Sequence, residues 1–204
     1  PGDHDFARLL EASRGVAPVR ASIGPADPAV LLMSGGTTGT PKGVVGTHGA
    51  FVMTGLQVQA WASTVIGVGD SVILLPLPMF HVYANLGVQG LAFVTRNPIA
   101  LVPNPRDLPD LLATIRRVKP AFFTGVPTLF TALMNHPDVQ RGKVDFKSIR
   151  ICFSGASALM ADTKQRFEAL TGGRIVEGYS LTEAMMALCM NPVAGPNKLG
   201  SVGM

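Results

Sequence analysis

The chain has 204 residues, 47% of them hydrophobic and only 15% charged. Intrinsic disorder is excluded as the main state, because it needs low hydrophobicity and high charge. The net charge is +4 with Lys and Arg scattered, so Arg116, Arg117 and Lys119 read as a solvated helix end and no nucleic-acid partner is expected.

In chain order, short apolar runs alternate with helical patterns. Pro1 to Asp5 lacks the layout of a signal peptide, and there is no starting Met, so an excised piece of something longer is expected. Ala29 to Met33 is a continuous apolar run that fits a buried parallel strand. His48 is expected to open the following helix. Ser71 to Leu75 is a second strand, ended by Pro76 and Pro78. Pro98 to Val102 is a third. Leu108, Leu111, Leu112 and Ile115 follow at helical spacing, with Asp107 and Asp110 where the helix dipole favours them. Ala121 to Thr124 is a strand. Pro127 to Asn135 is a helix with proline in its first turn. Ile149 to Ser154 is a strand, Met160 to Leu170 a helix with Phe167 and Leu170 inward, and Arg174 to Glu177 a strand. This alternation predicts an α/β fold with a mostly parallel sheet flanked by helices. Ligands then bind at loops after strand C-termini, here from Ser34, Pro76, Ser154 and Gly178 onward.

Other features narrow the class. Cys152 and Cys189 lie in apolar segments without metal-ligand spacing, so buried thiols and a reducing compartment are expected. Every apolar stretch is broken before ~18 residues, so no membrane span is expected. His4 and His136 read as solvent-exposed. Twenty-three glycines and sixteen prolines exceed the average share, so the surplus must sit in particular loops.

One such loop is Ser34-Gly35-Gly36-Thr37-Thr38-Gly39-Thr40-Pro41-Lys42-Gly43. Glycines let backbone N–H groups approach an anion, hydroxyls donate to phosphate oxygens, and Lys42 supplies a cation. It is not the P-loop of NTPases, because Lys42 is followed by Gly43 and not by Ser or Thr. No G-x-G-x-x-G opens a helix either. The segment resembles the phosphate-binding signature of the adenylate-forming (AMP-binding) superfamily, which includes acyl-CoA synthetases, 4-coumarate-CoA ligases, luciferases and peptide-synthetase adenylation domains. The resemblance implies that Ser34, Gly35, Gly36, Thr37, Thr38, Gly39 and Lys42 hold the ATP phosphates.

A second segment is Glu177-Gly178-Tyr179-Ser180-Leu181-Thr182-Glu183-Ala184. Tyr179 offers a flat face for a base, Thr182 a hydroxyl, and Glu183 a hard oxygen ligand. By itself it could also be a capped helix start, with Ser180 as N-cap and Glu183 three residues on. It resembles the superfamily's G-Y-G-x-T-E. That implies Gly178, Tyr179 and Ser180 at adenine, Thr182 at the α-phosphate and Glu183 on Mg²⁺. Ser180 departs from the usual glycine, which bears on substrate shape. Ser154-Gly155-Ala156-Ser157-Ala158 resembles the S-G-G/A-A-P-L segment, which implies that Gly155, Ala156 and Ser157 flank adenine and the acyl pocket. A simple strand-end turn is the alternative. Pro76 to Tyr83 resembles P-x-F/Y-H, which implies that His81 lines the meeting place of carboxylate and thiol. Residues alone leave His81 equally open to a structural role.

The resemblance implies an AMP-forming acid–thiol ligase. Its co-substrates would be ATP, coenzyme A and a carboxylic acid, of fatty type, with Mg²⁺ as the metal. Lys42, Thr182, Glu183 and His81 would carry the chemistry. The fold would be part of the large N-terminal domain of such an enzyme. The final Lys198 to Met204 resembles K-x-G-S-V-G inside that domain. Residues 1–204 would then be a partial adenylation domain, without its N-terminal stretch, ribose-binding segment, hinge and C-terminal domain. Such a fragment would bind nucleotide at best and need the missing parts of its parent. A cytoplasmic location is expected, with a peripheral membrane position left open. Two alternatives stand: a peptide-synthetase adenylation domain, and a nucleotide- or protein-binding module without chemistry. Gly87, Gly90, Gly125 and Gly155 hint at room for an elongated acyl chain, or simply pack.

Overall fold

The computed structural model describes residues 5–35 and 39–204. A short helix, α1 (Phe6–Ala12), buries none of its residues. The strands β1 (Pro28–Ser34) and β2 (Lys42–Thr47) form a two-stranded antiparallel sheet of their own. Helix α2 (His48–Ala62) follows, its N-cap Thr47 accepting from the Ala50 N–H at 3.2 Å. Next come β3 (Ile73–Leu75), a π-helical segment Tyr83–Gln89, α3 (Gly90–Thr95) and β4 (Ile99–Leu101). The remaining elements are α4 (Leu108–Val118), β5 (Phe122–Gly125), α5 (Pro127–Asn135), α6 (Pro137–Gln140), β6 (Ile151–Ser154), α7 (Ala161–Thr171), β7 (Arg174–Leu181), a 3₁₀ turn Thr182–Ala184 and β8 (Met186–Met190).

The second sheet has the order β4-β3-β5-β6-β7-β8. Its strands are parallel except β8, which runs antiparallel to β7. The chain leaves β3 toward β4 on one side and leaves β5 toward β6 on the other. The switch point of the sheet therefore lies between β3 and β5, above their C-terminal ends. Side chains alternate across the sheet. Ile73, Leu75, Phe122, Ile151, Phe153 and Val176 face a core built with α2, the π-helix and α3. Leu74, Phe123, Cys152 and Ile175 face the other core, under α4, α5 and α7. There Phe123, Phe130 and Phe167 pack ring on ring, with centroids 5.5 and 4.9 Å apart at the Phe123–Phe130 and Phe130–Phe167 contacts.

The helices carry the expected start and stop chemistry. Asp107 caps α4 by accepting from the Asp110 N–H at 3.1 Å, and Arg116 and Arg117 sit in its last turn, where the dipole favours cations. Pro127 occupies the first turn of α5.

Four expectations are corrected. Ala29 to Met33 is not a buried parallel strand: it belongs to the antiparallel hairpin, with Leu32 and Ser34 buried but Leu31 and Met33 exposed. An apolar run at every position does not require burial on both faces. The Ser180–Glu183 capping box does not form, because β7 continues through Leu181 and pairs with β8. Cys189 is half-buried, since β8 is the edge strand, while Cys152 is buried in the central β6. His136 is half-buried rather than exposed, and its ring accepts from the Asp138 N–H at 3.2 Å, capping α6. His4 lies outside the described residues. Among the described residues, no helix is long and apolar enough to cross a membrane.

Candidate functional site

The parallel strands deliver three of the four expected loops to one edge of the sheet. These are the segments after β3, after β6 and along the end of β7. The fourth, after Ser34, is presented by the hairpin. Ser34 and Lys42 are register partners at its mouth, Ser34 buried and Lys42 exposed. Gly35 is exposed, and Gly39 has φ +130°, a conformation that suits glycine. Gly36, Thr37 and Thr38 lie outside the described residues.

The hairpin is seated against the 3₁₀ turn that carries Thr182 and Glu183. A β-carbon at Gly46 would stand 2.8 Å from Val30 Cγ1 and 2.9 Å from Met185 Sδ, so glycine permits this approach. Thr54 Oγ1 of α2 donates to the Met185 carbonyl at 3.0 Å and fixes the same point. Glu183 is exposed and Thr182 half-buried on this turn. Among the described residues no group of three His, Cys, Asp or Glu gathers to hold a metal. A single exposed carboxylate fits a hard cation that takes its other oxygens from phosphate and water.

The second bank of the site is the loop after β6. Ser154 is buried, and Ala156 sits at φ +69°, in the left-handed region. That conformation explains the small residue there, since a branched side chain would strain it further. Ser157 is exposed. Glu177 pins the loop's exit: its Oε1 accepts from the Leu159 N–H at 3.0 Å, and the residue is buried. Gly155, Gly178, Tyr179 and Ser180 then line one narrow cleft. Tyr179 is 46% exposed, which leaves a ring face available for stacking.

His81 and Lys42 do not line this cleft. His81 is exposed, and its Nδ1 accepts from the Tyr83 N–H at 3.2 Å at the start of the π-helix. The cleft instead holds a residue the sequence did not single out. Tyr83 is buried, and its hydroxyl donates to the Phe153 carbonyl at 2.8 Å. Burial pushes its phenol far up, so it stays a neutral donor. Its place two residues past His81, in a resembling segment, was the available signal. Met186 was also missed, and its φ of +118° could not be read from sequence.

The family model described as AMP-binding enzyme matches residues 3–204. The chain belongs to the AMP-binding enzyme family. It is 37% identical over 201 residues to the long-chain-fatty-acid–CoA ligase of Bacillus subtilis, covering 98% of this chain and 35% of that relative. It is 36% identical over 203 residues to 4-coumarate–CoA ligase 2 of Oryza sativa, covering 96% of this chain and 35% of the relative. Among solved structures, ATP-bound MatB from Rhodopseudomonas palustris superposes with a TM-score of 0.77 at 28% identity, over 96% of this chain and 37% of that one. The chain thus spans about a third of the length of the AMP-binding relatives it matches. Its α/β fold, a mostly parallel six-stranded sheet flanked by helices, is that of the N-terminal domains of adenylate-forming enzymes.

Proposed function

We propose that the full-length protein carrying these residues activates a carboxylic acid of fatty type with ATP and passes it to coenzyme A. A carboxylate is a poor electrophile because its leaving group would be oxide. In the first half-reaction its oxygen attacks the α-phosphorus of ATP, the bond to the bridging oxygen breaks, and pyrophosphate departs. In the second, a thiol attacks the acyl-adenylate carbonyl and AMP leaves. The in-line transition state spreads negative charge over phosphate oxygens, so the protein's work is positioning and neutralisation.

The roles follow the chemistry of each side chain. Ser34 to Gly39 and Lys42 would hold the phosphates, Lys42 as a point charge. Tyr179 would stack on adenine beside Gly155, Ala156, Ser157, Gly178 and Ser180. Thr182 would donate to the α-phosphate. Glu183 would hold Mg²⁺, which supplies charge neutralisation on the departing pyrophosphate. His81 would sit where acid and thiol meet. On this reading residues 1–204 are one part of the adenylation domain, other parts of the full protein complete the site, and its location is cytoplasmic. The observation that carries the reading is the seating of the glycine-rich hairpin against the Thr182–Ala184 turn through Gly46 and Met185.

The test is acid-dependent ATP–pyrophosphate exchange in the full-length protein. Glu183→Gln is expected to lower it by about 10²–10³-fold, as loss of one transition-state charge partner does. Because Glu183 is exposed, the variant should melt like the parent. Unchanged exchange in a folded Glu183→Gln variant would remove Glu183 from the mechanism.

A further inference from the structure

Three elements meet at Met185. Its N–H donates to the Thr182 carbonyl at 3.1 Å and closes the 3₁₀ turn. Its thioether lies against β2, where a β-carbon at Gly46 would stand 2.9 Å from the sulfur. Its carbonyl accepts from Thr54 Oγ1 of α2 at 3.0 Å. Met185 has φ +57°, and Met186, next in the chain, has φ +118°. Two successive positive φ values outside glycine cost energy and persist only where the surroundings fix them. None of Thr182, Glu183 and Ala184 is buried, so the turn has little packing of its own to hold it.

The Thr54 hydroxyl is spent in an uncommon direction. A threonine inside a helix often bonds back to the carbonyl four residues earlier. Thr95, Thr131 and Thr171 do so, donating to the Leu91, Pro127 and Phe167 carbonyls at 2.7, 3.1 and 3.0 Å. Thr54 is buried and reaches the Thr182–Ala184 turn instead. Helix α2 begins where β2 ends. The same helix therefore continues the strand that starts at Lys42 and, through Thr54, holds the turn that carries Thr182 and Glu183. A second bond from α2 runs from Trp61 Nε1 to the Asn191 carbonyl at 3.0 Å. It holds the far end of β8, away from the turn.

We infer that Thr54 is a positioning residue for adenylate formation: through the Met185 carbonyl, its hydroxyl sets where Thr182 and Glu183 stand relative to Lys42. This rests on the acid-activating function proposed above. In-line attack at a phosphate depends on the placement of the groups around it. A misplacement of about 1 Å, caused far from the chemistry, costs about 10²-fold. Thr54→Val keeps the shape of the side chain and removes the donor. The Met185 carbonyl then loses its tie to α2, and the turn can shift away from the hairpin.

The experiment measures acid-dependent ATP–pyrophosphate exchange in the full-length protein, with hydrogen exchange at the Met185 N–H as a second readout. Thr54→Val is expected to lower kcat by about 10–10²-fold while KM for ATP moves much less. It is also expected to lose protection at the Met185 N–H. Thr54→Ser keeps the hydroxyl and is expected to restore both. Trp61→Phe removes the other bond from α2 and is expected to leave both near the parent's values. If Thr54→Val does not fold, Thr54→Ala takes its place with the same expectation. Parental kcat in a folded variant without the hydroxyl overturns the assignment, and so does a fall in Thr54→Ser or Trp61→Phe as deep as in Thr54→Val. Each of these leaves the acid-activating reading standing. A wild type that melts cooperatively and binds ATP, yet shows no acid-dependent exchange, overturns that reading and this inference with it.

Discussion

The two cysteines show how one residue type takes opposite character from its strand. Cys152 sits in the middle of the sheet, and burial pushes its thiol far above the ordinary range. Nucleophilic attack needs the thiolate, so Cys152 is inert while the fold stands. Cys189 is half-buried on the edge strand. Iodoacetamide at mildly alkaline pH is expected to alkylate Cys189 in the native chain and Cys152 only after denaturation, as peptide mass spectrometry would read. Equal modification of both in the native state would mean that β6 is not the packed centre of the sheet. Glu177 makes a similar point for a carboxylate: one oxygen holds Leu159 N–H, while Oε2, like the neighbouring Ser154 Oγ, has no hydrogen-bond partner among the described residues. The bonded oxygen braces the loop after β6.

At the scale of elements, α2 and the π-helix–α3 segment approach backbone to backbone. A β-carbon at Gly55 would lie 2.5 Å from the Gly90 carbonyl oxygen. Gly55→Ala is therefore expected to force the helices apart at a cost of about 1–3 kcal/mol. For a chain of this size that lowers Tm by about 2–4 °C per kcal/mol, measurable by circular dichroism melting. An unchanged Tm would show that the crossing can relax freely. Elements defined by local chemistry were legible in the sequence. The Leu108–Ile115 spacing and its aspartates marked α4, and Pro127 marked the start of α5, at their observed places. The central strands were legible because burial on both faces leaves a continuous apolar run. The hairpin strand was not, because Leu31 and Met33 are apolar yet exposed, and the sequence carries no label for which face is covered. In the candidate site, Tyr179, Ser180, Thr182 and Glu183 were singled out by the resemblance of their segment, and the structure puts Tyr179 and Ser180 on the cleft. Tyr83 and Met186 were not, since their positions depend on contacts with Phe153 and Gly87, distant in sequence.

At the scale of the whole molecule, the sheet separates two cores. The core shared with the π-helix contains Tyr83 and Met186 and so borders the site. The core under α4, α5 and α7 contains neither. Leu111 is fully buried in the latter. Leu111→Ala is expected to cost about 2–5 kcal/mol in chemical denaturation while leaving the order of preference among acids as in the parent. A changed acid preference would show that strain crosses the sheet. If the two sides are independent, the fold offers separate mutational territories. Changes behind the sheet can raise or lower stability without retuning selectivity, and changes in front of it alter both together. A lineage under pressure to accept a new acid would then draw on stability gained at the back, where substitutions are invisible to the substrate, before it rewrites the front.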